Sequence, residues 1–174
     1  MICKHGLGLI EHWDGTTWNE VTAPAPPTGG QRYTFKSIAA DAAGHVWVVG
    51  EYVNVQTFSL IEQWNGTSWT IVPSPQPPTI GSNENDTLSG VTVVSGTSAW
   101  AVGNYNASTS SGSSIEDTLV EHWDGTSWTV VPSPNVKTFN MLYAVTSFQG
   151  QTGAVGASST SNSIQTLVIG CNCA

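Results

Sequence analysis

One ten-residue phrase occurs three times in this chain: LIEHWDGTTW at 9–18, LIEQWNGTSW at 60–69 and LVEHWDGTSW at 119–128. A second phrase alternates with it. VWVVG ends at Gly50, AWAVG ends at Gly103, and a degenerate TGAVG ends at Gly156, so the glycines stand 53 residues apart in both intervals. Recurrence at this period means that each unit is one supersecondary module, able to bury its apolar faces only against neighbouring copies.

The clearest unit, 86–134, reads as four strands. TLSGVTVVS and SAWAVGNY are β-branched or aromatic runs separated by a short break, DTLVEHW follows a Ser/Thr/Gly/Asn-rich stretch, and TSWTVVPSP ends in prolines. Four short antiparallel strands per fifty residues predict an all-β fold of β-propeller blades. Asn65-Gly66 predicts a two-residue type I′ turn, setting Trp64 opposite Thr67 and Glu62 opposite Trp69. Alternation then places Glu62, Trp64, Thr67 and Trp69 on one face, and likewise Glu11, Trp13, Thr16 and Trp18, and Glu121, Trp123, Thr126 and Trp128. Trp47 and Trp100 fall on the second strand, central in a blade, and are predicted to be buried between sheets; Gly153 replaces this Trp in the last unit.

Residues 1–174 form a single repeat region, with a partial blade at 7–23, blades at 33–75 and 86–134, and a partial blade at 140–171. Sharing one terminal unit between the two chain ends gives about three blades, whereas closed propellers typically have four to eight. Three arrangements reconcile the count: two chains completing a six-bladed ring as a homodimer, a fragment of a longer array, or an open stack with bare edges. The two-chain ring is the favoured expectation.

Composition narrows the function. Only 9% of residues are charged, against about a quarter in average proteins, yet 39% are apolar and eight are Trp, enough for a core. The net charge is −8 and the basic residues are Lys4, Arg32, Lys36 and Lys137, an unclustered set that disfavours nucleic acid and anionic membranes. No apolar run approaches the ~18–20 residues that span a bilayer, and MICKHGLGLIEHW has no uninterrupted signal-peptide core. Cys3, Cys171 and Cys173 are too few for a closed zinc site. They read as incidental terminal thiols or, in an oxidising compartment, as a candidate bridge from Cys3 to one of the other two.

The pattern W-x-V-G followed by L-I/V-E-H/Q-W-D/N-G-T-S-W-T-x-V-P-S-P resembles the tandem propeller repeats of secreted bacterial proteins, with a look of kelch and Asp-box blades. The resemblance covers roughly residues 7–170 and implies a propeller that is often extracellular and commonly without an assigned activity. The D-G-T-S-W run is one residue shorter than the Asp-box pattern, and the kelch double glycine is missing. The low-Lys, Ser/Thr/Asn/Gly-rich composition agrees with an extracellular or cell-surface location.

No P-loop, dinucleotide fingerprint, G-x-S-x-G or H-E-x-x-H occurs, and no cofactor or metal is expected. Glu11, Glu62 and Glu121 recur at equivalent places on different blades, too far apart to act as paired glycosidase acids, and read as structural. His12 with Asp14, and His122 with Asp124, have Gln63 and Asn65 as counterparts and read as surface hairpins rather than metal ligands. His5 and His45 are isolated, and the first strands bring only Tyr33, Lys36, Asp41 and Tyr143 towards a central channel. Sequons at Asn65, Asn85 and Asn106 carry no weight in a bacterial protein. Loops 52–57 and 104–116 vary between units, making Tyr52, Asn54, Gln56, Asn104, Tyr105, Asn106 and Glu116 the candidate ligand-binding residues. The leading expectation is a non-catalytic recognition or assembly module with a glycan or protein ligand. The alternatives are a glycan-processing enzyme (or half-chain of one) and a purely structural self-assembling repeat.

Overall fold

The structure is a computed structural model, and it describes residues 9–26, 32–77, 85–108 and 113–172. Thirteen strands and no helix occur among them: β1 (Ile10–Trp13), β2 (Trp18–Val21), β3 (Arg32–Ala40), β4 (Val46–Asn54), β5 (Gln56–Trp64), β6 (Trp69–Ile71), β7 (Asp86–Ser95), β8 (Ser98–Ser108), β9 (Ser114–Trp123), β10 (Trp128–Val130), β11 (Phe139–Phe148), β12 (Gln151–Thr160) and β13 (Ser163–Asn172). The sheets β3-β4-β5-β6 and β7-β8-β9-β10 are antiparallel meanders of four strands, the blades the repeat predicts. β11-β12-β13 is a three-stranded version, joined to β9 by a single parallel bridge, Phe139 to Glu116. β1 and β2 form a separate hairpin.

These sheets stack in chain order. The hairpin meets the first full blade through Ile10, Val48 and Trp69. Trp47, Val49 and Ile61 on the far face of that blade meet Leu88, Ala101, Leu119, Trp123 and Trp128 of the next. Trp100, Val102 and Val120 then meet Leu142, Ala154 and Leu167 of the last. Trp47 is fully buried, its ring 5.0 Å from that of Trp123 and 5.1 Å from that of Trp128. Burying an indole of this size contributes about 4 kcal/mol on area grounds. Trp100 is also buried and packs on His122 at 4.3 Å.

The chain ends do not share a blade within one molecule. β12 is hydrogen-bonded to β13, whose Leu167 stands opposite Gly156 as Leu60 stands opposite Gly50 and Leu119 opposite Gly103. β13 is therefore the true third strand, and β1–β2 lies at the opposite end of the stack. Cys3 and Cys173 lie outside the described residues, as do Lys4, His5 and the side chain of Cys171, so the candidate bridge does too.

The turn prediction is corrected. Trp64 pairs directly with Trp69, and Glu62 with Ile71, so residues 65–68 form the loop. Trp13–Trp18 and Trp123–Trp128 pair in the same way. The side chain of the leading residue organises the loop: Asn65 Oδ1 accepts from the N–H groups of Thr67 and Ser68, and Asp14 and Asp124 repeat the pattern. Only the glycines take positive φ there, Gly66 at 95°, whereas a type I′ turn needs it at both central residues. An Asx side chain that satisfies two backbone donors outcompetes the shorter turn.

The glycine of W-x-V-G also has a specific cause. Each first strand bulges, between Phe35 and Ser37, Leu88 and Gly90, and Leu142 and Ala144. The bulge pushes a carbonyl against the second strand, so a Cβ at Gly50, Gly103 or Gly156 would overlap the oxygen of Thr34, Thr87 or Met141.

Candidate functional site

Residues 52–57, 104–108 and 114–116 are not loops but the far ends of long hairpins. Tyr52 pairs with Phe58 and Asn54 with Gln56, leaving Val55 alone at the tip, fully exposed at φ 63°. That conformation costs a β-branched residue about 1–3 kcal/mol. On the next blade Asn104, Tyr105 and Asn106 sit on β8 opposite Thr118, Asp117 and Glu116 on β9. Asn85 ties the two hairpins together, its Oδ1 accepting from Thr57 N at 2.8 Å and its carbonyl from Asn106 N at 2.7 Å. The candidate residues therefore gather along one side of the stack, at neighbouring hairpin tips of the two full blades. Their side chains are largely engaged: the Tyr52 ring stacks on Phe58 at 5.3 Å, the Tyr105 hydroxyl donates to Asp117, and Asn104 Nδ2 donates to Glu116 Oε1 at 2.6 Å. Burial raises the pKa of Tyr52, Tyr105 and Glu116.

Below these tips, the seam between the two full blades holds polar groups that sequence reading did not single out. A cavity of about 380 Å³ lies against β5, β6 and the connector that follows them in the first full blade, its wall including Tyr52, Ser59, Ser74 and Gln76. Ser59 N donates to Asp86 Oδ2 at 2.8 Å, and Ser74 Oγ donates to Glu121 Oε1 at 2.8 Å. Asp86 and Glu121 are both buried. Desolvation, opposed by the Ser74 bond and aided by the charge of Asp86, pushes the Glu121 carboxyl up to about 8. A carboxyl held neutral in a seam can donate a hydrogen bond at pH 7. Asn140 stands where Asp86 stands one blade earlier, and its amide donates to Glu116 O.

The repeated carboxylates are separated by the fold. Glu121 faces the first full blade, while Glu62 lies on the opposite face of that blade, beside Val48 and towards the hairpin. Glu11 is exposed. Glu62 is fully buried and neither of its oxygens has a partner among the described residues, so desolvation raises its pKa to about 7. The sequence carries the reason: Ser74 and Ser133 follow their fourth-strand Trp by five residues, but the hairpin has Ala23 there. Trp123 Nε1 donates to the backbone, to Gly96 O at 3.1 Å.

The histidines find uses in packing. His45 is not isolated, because its Nδ1 lies 2.7 Å from Asp41 Oδ2 and closes the turn between β3 and β4. His122 Nε2 lies 3.2 Å from Ser98 Oγ. Asp14 is held well below the usual carboxylate range by donors from Thr17, Thr16 and Asn19, as expected of a turn cap. Among the described residues, no group of three His, Cys, Asp or Glu side chains is placed to hold a metal ion. On the inner strands Lys36 Nζ bridges Glu51 and Thr87, at 2.9 and 2.8 Å.

The outermost faces expose what the inner faces bury. Trp13 and Trp18 pair at 5.6 Å on the open side of the hairpin, 47% and 65% exposed, where the equivalent Trp123–Trp128 pair is covered by Trp47. At the other end Tyr143, Val155 and Val168 are exposed on the last sheet.

No family model and no curated protein matches the chain. Fourteen solved chains match it in structure. One of them, YCF48 bound to D1 peptide, is 16% identical, with a TM-score of 0.47 over 88% of this chain and 40% of that one. The chain thus spans less than half the length of that structure.

Proposed function

We propose that this chain is a non-catalytic propeller module of the cell exterior that works by recognition and assembly. The observation that carries the reading is the pair of open ends. Every internal blade face is covered by a neighbour, whereas the Trp13–Trp18 pair and the Tyr143/Val155/Val168 face present the same kind of surface to solvent. Apolar faces of this sort mark association surfaces. Two chains joined through these end faces, each covering the other's, close a ring. The hairpin tips bearing Tyr52, Asn54, Gln56, Asn104, Tyr105, Asn106 and Glu116 then form a rim suited to a glycan or protein ligand. Light scattering tests the assembly: a mass of about twice 18.3 kDa supports it, and a monomer at all concentrations refutes it. A glycan array tests the rim.

One observation favours a second reading, glycan processing: the buried Glu121 carboxyl, its pKa raised by desolvation, accepts from Ser74, which lines the cavity on the first full blade. Turnover of chromogenic glycosides that vanishes in Glu121→Gln would establish it.

A further inference from the structure

We infer that the open edge of β1 is an acceptor site for a β-strand that carries W-x-V-G. Among the described residues β1 is hydrogen-bonded only to β2, so its other edge has no strand partner. Beside that edge lies a cavity of about 390 Å³ walled by Ile10, His12, Ile38, Val46, Trp64 and Trp69. The next repeat of the same interface shows what fills such a space. There the receiving pair is Trp123–Trp128, with ring centroids 6.0 Å apart, and the filler is the Trp47 indole carried on a second strand. The Trp64–Trp69 pair has nearly the same geometry, 5.5 Å and 51° against 6.0 Å and 46°.

Register defines the incoming strand. In both complete blades the second strand runs antiparallel to the third, with its Trp opposite Gln63 or His122 and its Gly opposite Leu60 or Leu119. The matching positions on β1 are His12 and Leu9. A strand carrying W-x-V-G therefore lies antiparallel to β1 with its indole opposite His12, entering the cavity, and its glycine at Leu9, which is 62% exposed. Main-chain bonds to β1 supply affinity and the indole supplies selection, as in other strand-addition complexes. A second copy cannot supply the indole from its last sheet, because Gly153 stands at that position, opposite Gly170; Trp47 and Trp100 are already buried in central strands. The acceptor function is thus separate from self-assembly, and either can fail without the other.

The test uses the full chain and a fluorescein-labelled peptide, GHVWVVGEYVN, copying residues 44–54. Fluorescence anisotropy is expected to give saturable binding that weakens at least tenfold when the peptide's Trp is replaced by Ala. Ile38→Glu, at a residue 60% exposed, is expected to cause a similar loss without unfolding the chain. Hydrogen exchange is expected to slow at residues 10–13 in the bound state. Equal affinity for the Trp and Ala peptides, protection confined to β13, absence of binding at millimolar peptide, or free indole binding as tightly as the peptide would each overturn the inference.

Discussion

Glu62 offers the most direct quantitative test of the packing. Its carboxyl is sealed between the hairpin and the first full blade and has no hydrogen-bond donor among the described residues, which moves its pKa from 4.5 to about 7. Between those two values the unfolded chain has released the proton while the native chain keeps it. The unfolded state therefore binds fewer protons, and stability falls as pH rises through this window, then levels off above it. At about 1.4 kcal/mol per unit the full loss is about 3 kcal/mol, and relaxation with solvent screening reduces it to about 2 kcal/mol. Replacing Glu62 with Gln removes the titration. Thermal melts followed by circular dichroism are expected to agree between variant and parent near pH 5. At pH 8 the variant is expected to gain about 2 kcal/mol, or roughly 4–8 °C for a chain of this size. Parallel pH profiles in the two proteins, or a variant less stable at pH 8, would refute the reasoning.

Ala23→Ser places a hydroxyl where Ser74 serves Glu121, and should raise stability at pH 8 by about 1 kcal/mol, read from the same melts. Gly103→Ala forces a Cβ onto the Thr87 carbonyl and should cost about 3 kcal/mol or more in urea denaturation, whereas Gly153→Ala, at an uncrowded position, should be nearly neutral. Trp47→Ala should cost about 4 kcal/mol, and Trp100→Ala measurably less, because Trp47 contacts two indoles and Trp100 one imidazole.

The strand order and the buried positions of Trp47 and Trp100 could be read from the repeated phrases, because period-two alternation fixes which side chains face a neighbour. The loop length could not. Asp14, Asn65 and Asp124 look like type I′ residues until their carboxylate or amide oxygens are seen taking two N–H groups each. The bulges at Lys36, Ser89 and Tyr143 left no mark of their own, and showed only through the invariant spacing of the glycines they require. The seam groups were missed for another reason. Ser74 lies in a PSP run that reads as a connector, and its value depends on Glu121, 47 residues away. Asp86 begins a strand and looks like any exposed flank until Ser59 N is placed on it.

The position held by Glu62 and Glu121 is held by Ile169 in the last sheet, opposite Ala154. Alkali therefore places a charge in two of the three joints and leaves the third untouched. Rising pH is thus expected to loosen the amino-terminal joints before the last one. The final three strands, held to the blade before them by an apolar seam and by the Asn140 amide on Glu116 O, are expected to stay seated on it.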